Sequence, residues 1–282
     1  MASRAVEHLL ARKGAFRIAL IPAEVLDALN DGLIETVNLN EFLAIDLSRL
    51  APGVARDVGL DPSDERLGDA LAMLDAFKPM QRHGHVARAL YEMVRTQADA
   101  ASRDAIAHRL ATHRSDVARA WATQWIAFSG LLLAARLSAV RRFAADPHFG
   151  VREFAWMALR DAVIAAPDAA IDALLPLACD GDPNIRRFAC ELTRPRGVWC
   201  APIADFRNEP WRAQDLLELL RSDPSRYVQD SVANWLNDAS KSQAAWVVQL
   251  CERWGIESAS PATAYIVRRA MRTLNKSAGP GV

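Results

Sequence analysis

Two stretches in the second half of the chain decide the fold: Asp146-Pro147-His148-Phe149-Gly150-Val151-Arg152 and Asp180-Gly181-Asp182-Pro183-Asn184-Ile185-Arg186. Each consists of an aspartate, four residues, an aliphatic residue and an arginine. A third copy runs from Asp223 to Val228-Gln229, with glutamine in the last place. Aspartate caps helix N-termini and proline suits the first turn of a helix. The stretches therefore predict the start of an equivalent helix in three successive units.

Two looser copies extend the pattern, at Val117 and at Val267-Arg268. The aligned positions 117, 151, 185, 228 and 267 are 34, 34, 43 and 39 residues apart. Alternating β-branched runs are nearly absent, and strong helix formers dominate. Periods near 40 residues with two helices per unit are typical of HEAT-like repeats, whose units bury their apolar faces only by stacking. We expect an all-α fold, a HEAT-like helical-repeat solenoid with a curved concave face, in which Asp with Pro caps the second helix of each pair.

The repeat register divides the chain. Residues 1–112 lack the register and are predicted to form an N-terminal helical segment. Residues 113–276 are predicted to form the repeat domain, and 277–282 a C-terminal tail. The longest apolar stretch, from Trp125 to Ala135, is too short to span a bilayer and is predicted to be a buried helix.

Composition excludes several classes of protein. The 34 basic and 34 acidic residues of this 282-residue chain give no net charge, which excludes a uniformly basic, histone-like DNA binder. The N-terminus lacks the apolar run of a secretory signal, so we expect a cytoplasmic protein with reduced cysteines. His83 and His85 have no evident third ligand, and no glycine-rich phosphate loop occurs. We therefore expect neither a metal nor a cofactor.

Charged residues are dense between Arg186 and Trp199. Arg187 and Glu191 are four residues apart and share a helix face, and Pro195 ends that helix at or before Arg194. A solvated ion pair and a core tryptophan are the simplest interpretation. The alternative is that the arginines, the carboxylate and the indole converge on a pocket flanked by phosphate.

A second polar group follows on the next repeat. Asp230, Asn234 and Asp238 lie four residues apart and form one stripe on a helix. Such a stripe normally faces water. It can instead face the concave groove, beside Glu153 and Glu191 of the two preceding repeats. Glu153 has its own simpler explanation, because an acid near a helix N-terminus is electrostatically favourable.

Several strings resemble the HEAT-like repeat DNA alkylation repair glycosylases, in particular the AlkC branch. The main strings are Arg187–Arg196 with Trp199, and Ser231–Lys241, and their most specific parts are Thr193–Arg196 and Asn234–Asp238. Arg152-Glu153-Phe154-Ala155 is similar to the preceding repeat of that family, and residues 35–39 and 43–46 are similar to its N-terminal segment. The resemblance covers most of the chain and is strongest from residue 146 to 276.

The resemblance implies a monofunctional DNA glycosylase that removes cationic alkylated bases, such as 3-methyladenine and 3-methylcytosine, from double-stranded DNA. It implies active-site roles for Glu153, Glu191, Trp199 and Asp238. The residues expected to contact DNA are Arg152, Arg187, Arg194, Arg196 and Lys241. We expect a monomer without the C-terminal immunoglobulin-like domain of some relatives. Trp156-Met157 and Gly197-Val198 depart from the family pattern, which puts the substrate range in doubt.

The implied chemistry is physically consistent. A positively charged base is already a good leaving group, so catalysis needs carboxylates to stabilise an oxocarbenium-like sugar and position water. An indole attracts a cationic base by stacking, and arginines hold flanking phosphates. Two other functions stay open on the same scaffold. One is a DNA lesion or structure binder without catalysis, and the other is a protein-interaction scaffold.

Overall fold

The computed structural model describes residues 9–277, and seventeen α-helices lie wholly within them. No strand occurs among these residues, so the all-α prediction is confirmed. In chain order the helices are α1 (Ala23–Asn30), α2 (Leu39–Ala44), α3 (Leu47–Val58), α4 (Glu65–Ala72), α5 (Pro79–Arg95), α6 (Ala100–Ala111), α7 (Asp116–Phe128), α8 (Leu133–Ala144), α9 (Phe149–Ala165), α10 (Pro167–Ala178), α11 (Pro183–Leu192), α12 (Ala204–Asn208), α13 (Gln214–Leu220), α14 (Arg226–Ala239), α15 (Ala244–Glu257), α16 (Pro261–Ala270) and α17 (Arg272–Ser277).

The chain divides into two compact units. The first comprises residues 1–131 and 146–155, and the second comprises residues 132–145 and 156–282. In the second unit, consecutive helices pair as α10 with α11, α13 with α14 and α15 with α16. The second helices of these pairs also pack in series, α11 on α14 and α14 on α16. This arrangement of stacked helix pairs is the predicted HEAT-like repeat.

The repeating aspartate does not occupy the N-cap position that we predicted for it. It lies two residues before the N-cap, and its carboxylate accepts a hydrogen bond from the N-cap N–H. The three bonds are His148 N to Asp146 Oδ1 at 2.8 Å, Asp182 N to Asp180 Oδ1 at 2.9 Å and Ser225 N to Asp223 Oδ1 at 2.8 Å. The prediction that this aspartate caps the helix is therefore wrong. In α11 the cap is the next aspartate, Asp182, followed by proline.

The two looser copies are misplaced. The Ser115 N–H donates to His113 Nδ1 at 3.0 Å, which repeats the bond of the aspartate copies. Counting from that N-cap, Ala118 is the counterpart of Val151. By the same count from the N-cap Ser260, the counterpart in the last pair is Thr263 rather than Val267. The sequence alignment is thus off by one residue at the first copy and by four at the last, because no aspartate marks those two N-caps.

The arginine after the aliphatic residue links neighbouring repeats. In the first unit, Arg119 Nε donates to Asp146 Oδ2 at 2.9 Å. In the second unit, Arg186 Nε donates to Asp223 Oδ2 at 2.6 Å, and its Nη1 donates to the Asp180 carbonyl oxygen at 2.8 Å. Each of these arginines joins its own repeat to the aspartate of the next. The repeats are therefore coupled by buried ion pairs as well as by apolar packing.

The predicted boundaries have different outcomes. The division at residue 112 follows the repeat register and stays a prediction. Helix α17 reaches Ser277, and residues 278–282 of the predicted tail lie outside the described residues. The prediction of a buried helix from Trp125 to Ala135 is wrong. Helix α7 ends at Phe128, Gly130 adopts a φ of 71°, and Leu132 is 84% exposed. No helix within residues 9–277 has the length and apolarity needed to cross a membrane.

His83 belongs to the aromatic core of the first unit. Its ring stacks on Phe42 with 4.7 Å between centroids, and its Nδ1 accepts a hydrogen bond from Trp121 Nε1 at 3.2 Å. Burial lowers the pKa of His83 to about 3. His83 is therefore neutral in the folded protein at every pH at which the isolated side chain would begin to protonate.

This lowered pKa predicts an acid-dependent loss of stability. Between its ordinary pKa of 6.5 and about 3, the unfolded chain binds a proton at His83 that the folded chain does not. The free energy of unfolding should therefore fall on acidification, by up to about 1.4 kcal/mol per pH unit from this group. His83→Asn keeps an acceptor for Trp121 and removes the titration. Urea unfolding should show that the difference in the free energy of unfolding between the wild type and His83→Asn is smaller at pH 5 than at pH 7. An equal difference at both pH values would contradict the prediction.

Candidate active site

Two buried carboxylates from neighbouring repeats meet in the second unit. Glu191 lies near the C-terminal end of α11 and Asp238 near the C-terminal end of α14. Arg194 lies between them. Its Nη1 donates to Glu191 Oε2 at 3.0 Å, and its Nη2 donates to Asp238 Oδ2 at 2.6 Å. We call Glu191, Arg194 and Asp238 the acid cluster.

Further donors complete the acid cluster. Ser231 Oγ donates to Glu191 Oε1 at 2.8 Å, and Lys241 Nζ donates to Asp238 Oδ1 at 3.0 Å. Arg187 Nη2 lies 3.5 Å from Glu191 Oε1, so the predicted pair on one helix face is confirmed. Every carboxylate oxygen of the cluster thus accepts at least one bond.

The acid cluster is buried, and Arg194 supplies its positive charge. The Glu191 side chain is 2% exposed and the Asp238 side chain 8%. Burial acts to lower the pKa of Arg194, but attraction to Glu191 and Asp238 outweighs it and raises that pKa. The guanidinium is therefore permanently positive, and it provides the countercharge that two buried carboxylates need.

Arg160, which the sequence reasoning missed, holds the loop that follows α11. Its three nitrogens donate to three backbone carbonyl oxygens: Nη2 to Arg194 at 2.6 Å, Nε to Ala201 at 2.9 Å and Nη1 to Leu192 at 3.3 Å. Arg160 is 2% exposed, and burial lowers its pKa. Lone arginines in an arginine-rich sequence carry no motif, and these acceptors are backbone atoms, so no sequence signal identified this residue.

The loop held by Arg160 carries the predicted tryptophan. Trp199 is 45% exposed and is not part of the core. Gly197 lies close to the Cys200 Sγ, so a Cβ at that position would require the thiol to move. Arg196 Nε is buried without a hydrogen-bond partner among the described residues. An unpaired buried donor is costly, and an anion such as a phosphate would satisfy it.

The hydrogen bonds from Arg160 to the loop predict that weakening them speeds cleavage of the loop by trypsin. Arg160→Lys keeps the charge but loses the planar fork, so about two of the three hydrogen bonds are lost. Trypsin should then cleave after Arg196 about 10- to 100-fold faster, since each lost bond costs about 1 kcal/mol of local stability. Arg194 precedes a proline and resists trypsin. The matched control Arg212→Lys lies in ion pairs with Asp168 and Asp205 and should leave this cleavage unchanged. An unchanged rate in Arg160→Lys would exclude Arg160 as the loop's anchor.

Other predicted site residues lie elsewhere on the repeats. Glu153 is half-buried on α9 in the first unit, beside Arg152, whose Nη1 donates to the carbonyl oxygens of Asp146 and Pro147 at 2.7 and 2.8 Å. Arg152 therefore closes the loop of its own repeat. The active-site role of Glu153 and the DNA contact of Arg152 stay predictions.

The two histidines of the H-x-H pair have separate surroundings. His83 accepts from Trp121, whereas the His85 ring stacks on Phe77 with 3.6 Å between centroids. Within residues 9–277 no three His, Cys, Asp or Glu side chains form a group that fits a metal ion. All four cysteines are free thiols, and burial raises the pKa of Cys190 to about 12.

A solved structure shares this architecture. It is the Pseudomonas fluorescens alkylpurine DNA glycosylase AlkC bound to DNA containing an abasic-site analogue. The TM-score is 0.65 at 26% sequence identity, and the match covers 82% of this chain and 63% of that one. The chain is AlkC-like in structure. The predicted resemblance and the HEAT-like fold are thereby confirmed.

A curated relative matches a smaller part of the AlkC-like chain. The uncharacterized protein YhaZ of Bacillus subtilis is 34% identical over 119 residues, which are 42% of this chain and 33% of YhaZ. No protein-family model matches the chain. The chain thus spans about a third of YhaZ and less than two thirds of the AlkC chain.

Proposed function

We propose that the protein is a monofunctional DNA glycosylase. It releases positively charged alkylated bases, of the 3-methyladenine and 3-methylcytosine class, from double-stranded DNA by hydrolysis of the N-glycosidic bond. The observation that carries the proposal is the acid cluster, two buried carboxylates bridged by Arg194, in a chain that is similar to a DNA-bound alkylpurine glycosylase.

The acid cluster suits the charge that develops in this reaction. A cationic base leaves without protonation, and positive charge accumulates on the sugar. Fixed negative charge at that point stabilises the transition state without reorganisation. The side chain of Asp238 is more exposed than that of Glu191, so Asp238 is the acid that faces the sugar or its attacking water. Glu191 then acts through Arg194, which both acids share.

The remaining roles belong to the loop held by Arg160 and to the basic residues near the acid cluster. The exposed indole of Trp199 stacks on the cationic base or sugar. Arg187 and Arg196 contact phosphates that flank the lesion. Lys241 is an ion-pair partner of Asp238 and is given no Schiff-base role. On the resemblance alone, Glu153 is proposed as a further active-site acid.

A second candidate function is lesion binding without catalysis. One observation favours it: each carboxylate oxygen of the acid cluster already accepts a hydrogen bond within the protein. A carboxylate whose charge is already balanced by donors of the protein stabilises a positive substrate less. In this case the acid cluster is a structural link between α11 and α14, and the arginines alone bind DNA.

Release of free base separates the two candidates. The protein is incubated with methylated duplex DNA, and released 3-methyladenine, 7-methylguanine and 3-methylcytosine are resolved by chromatography. Release of a cationic base above the spontaneous rate is the expected result, and the ratio of products identifies the substrate. A folded protein that binds this DNA and releases nothing would contradict the glycosylase and support the lesion binder.

A further inference from the structure

Arginines that the acid cluster does not use lie near the end of the described chain. Residues 258–277 contain no acid and four basic residues, all on α16 and α17. Helix α14 packs against α16 and contributes Arg226 at its first residue. We call this group the Tyr265 surface, and its members are Arg226, Tyr265, Arg268, Arg269 and Arg272.

Two of these arginines are held by a ring rather than by an acid. The Arg226 Cζ lies 3.4 Å from the centroid of the Tyr265 ring, and the Arg268 Cζ lies 5.4 Å from it. Stacking orders a guanidinium without using its N–H donors. Within residues 9–277, neither Arg226 nor Arg268 forms a hydrogen bond or an ion pair through its side chain. Their donors are thus pre-oriented and available to a ligand.

The ring and the other two arginines are fixed by α14. Tyr265 Oη donates to Asp230 Oδ1 at 2.5 Å, and Arg269 Nε lies 3.3 Å from the same oxygen. Arg272 Nη2 donates to Asn234 Oδ1 at 2.9 Å. In the described part of the chain, Arg269 is the only one of these four arginines that pairs with a carboxylate, and that carboxylate is Asp230. Burial, followed by repulsion from Arg269, lowers the pKa of Arg272, so the surface holds an excess of positive charge that an anion would relieve.

The Tyr265 surface is aligned with the acid cluster along one helix. Asp230, Asn234 and Asp238 occupy one stripe of α14, and each accepts a hydrogen bond or an ion pair from a different arginine: Arg269, Arg272 and Arg194 respectively. Asp230 and Asp238 are eight residues apart, which is about 12 Å along a helix. A DNA strand rises about 3.4 Å per nucleotide along the duplex axis, so a strand that follows α14 passes both the acid cluster and the Tyr265 surface within about four nucleotides.

We propose that the Tyr265 surface binds successive phosphates of the DNA strand whose lesion lies at the acid cluster. The inference rests on the proposed function, since it takes DNA as the partner. It assigns the last described repeat to the DNA interface and gives the ring of Tyr265 the role of a platform for two phosphate-binding guanidiniums.

The salt dependence of binding to undamaged duplex DNA tests this. The variant Arg226→Gln with Arg268→Gln removes the two stacked cations. Its control, Arg212→Gln with Arg253→Gln, removes the same charge from arginines that pair with Asp168, Asp205 and Glu218. Fluorescence anisotropy across NaCl concentrations should show the slope of log K against log salt falling by about 1.8 in the first variant, since each lost phosphate contact contributes about 0.9. The control should keep the slope of the wild type.

Variants of the ring test the platform. Tyr265→Leu keeps every charge but removes the stack, so its affinity for the duplex should fall several-fold, whereas Tyr265→Phe should bind nearly as the wild type does. Circular dichroism and thermal unfolding confirm folding in each case. Equal salt slopes in the wild type and the Arg226/Arg268 variant would overturn the proposal. A variant that keeps the wild-type DNA slope but loses the binding of the wild type to anionic vesicles would overturn it too, because the surface would then bind lipid. A wild-type protein that binds no DNA would instead overturn the proposed function, so the two failures are distinguishable.

Discussion

Asp238→Asn should reduce base release from methylated DNA at least about 100-fold, the usual effect of removing one preorganised charge that faces a transition state. The amide keeps the shape of the side chain and an oxygen for Arg194 Nη2, so the fold should persist. The negative charge that we propose faces the sugar is lost. Binding of the same DNA should change by less than about threefold, because Asp238 contacts cations of the protein and no phosphate.

The matched control for this prediction is Asp215→Asn. Asp215 is exposed on α13 in the same unit, and the substitution makes the same change of charge. It should release base at the wild-type rate. Single-turnover measurements with enzyme in excess separate the chemical step from binding. A rate for Asp238→Asn equal to that of the control would remove Asp238 from the mechanism and shift attention to Glu153.

Arg194→Ala should lower the free energy of unfolding by about 3–5 kcal/mol, because it leaves two buried carboxylates without their shared cation. The Arg194 side chain is only 14% exposed, so bulk water screens the two carboxylates poorly. Base release should be lost as well, since the positions of both acids depend on this guanidinium. Chemical denaturation gives the stability, and the product assay gives the activity.

Two comparisons separate the contributions of Arg194. Adding Glu191→Gln to Arg194→Ala removes one of the stranded charges and should restore part of the stability. Arg212→Ala breaks ion pairs whose acids are largely exposed, so it should cost less than about 1 kcal/mol. If Arg194 also contacts a phosphate, as the sequence led us to expect, its loss lowers the salt slope of DNA binding by about 0.9. A stable variant with wild-type salt dependence would contradict both roles.

The sequence predicted the fold because the repeat signal is local and chemically specific. The three aspartate copies identify the loops that begin α9, α11 and α14, since the same carboxylate-to-N–H bond recurs in each. The two outer copies were misplaced because His113 and Ser258 stand where the other copies have the aspartate. The apolar run at Trp125–Ala135 misled for the opposite reason. Its composition favours a helix, but a glycine with positive φ interrupts it.

The sequence pointed to most residues of the acid cluster and its surroundings, but it did not predict their hydrogen-bond and ion-pair partners. The stripe of Asp230, Asn234 and Asp238 was expected to face water or a groove, and each member instead binds an arginine. Arg194 was expected to contact DNA, and the structure gives it two acids as partners. Arg160 was not predicted at all. A long arginine side chain can bind partners that are distant in sequence, often backbone oxygens, and no residue spacing predicts such a contact.

The loop between α11 and α12 explains why one interval of the repeat pattern is 43 residues rather than 34. Its stem is closed by the Ile203 N–H, which donates to the Pro195 carbonyl oxygen at 3.1 Å, while α11 and α14 pack together regardless of what the loop contains. Residues 196–202 therefore lie outside the contact between α11 and α14. A change of sequence in this loop, which carries Trp199, leaves the packing that positions Glu191 and Asp238 in place.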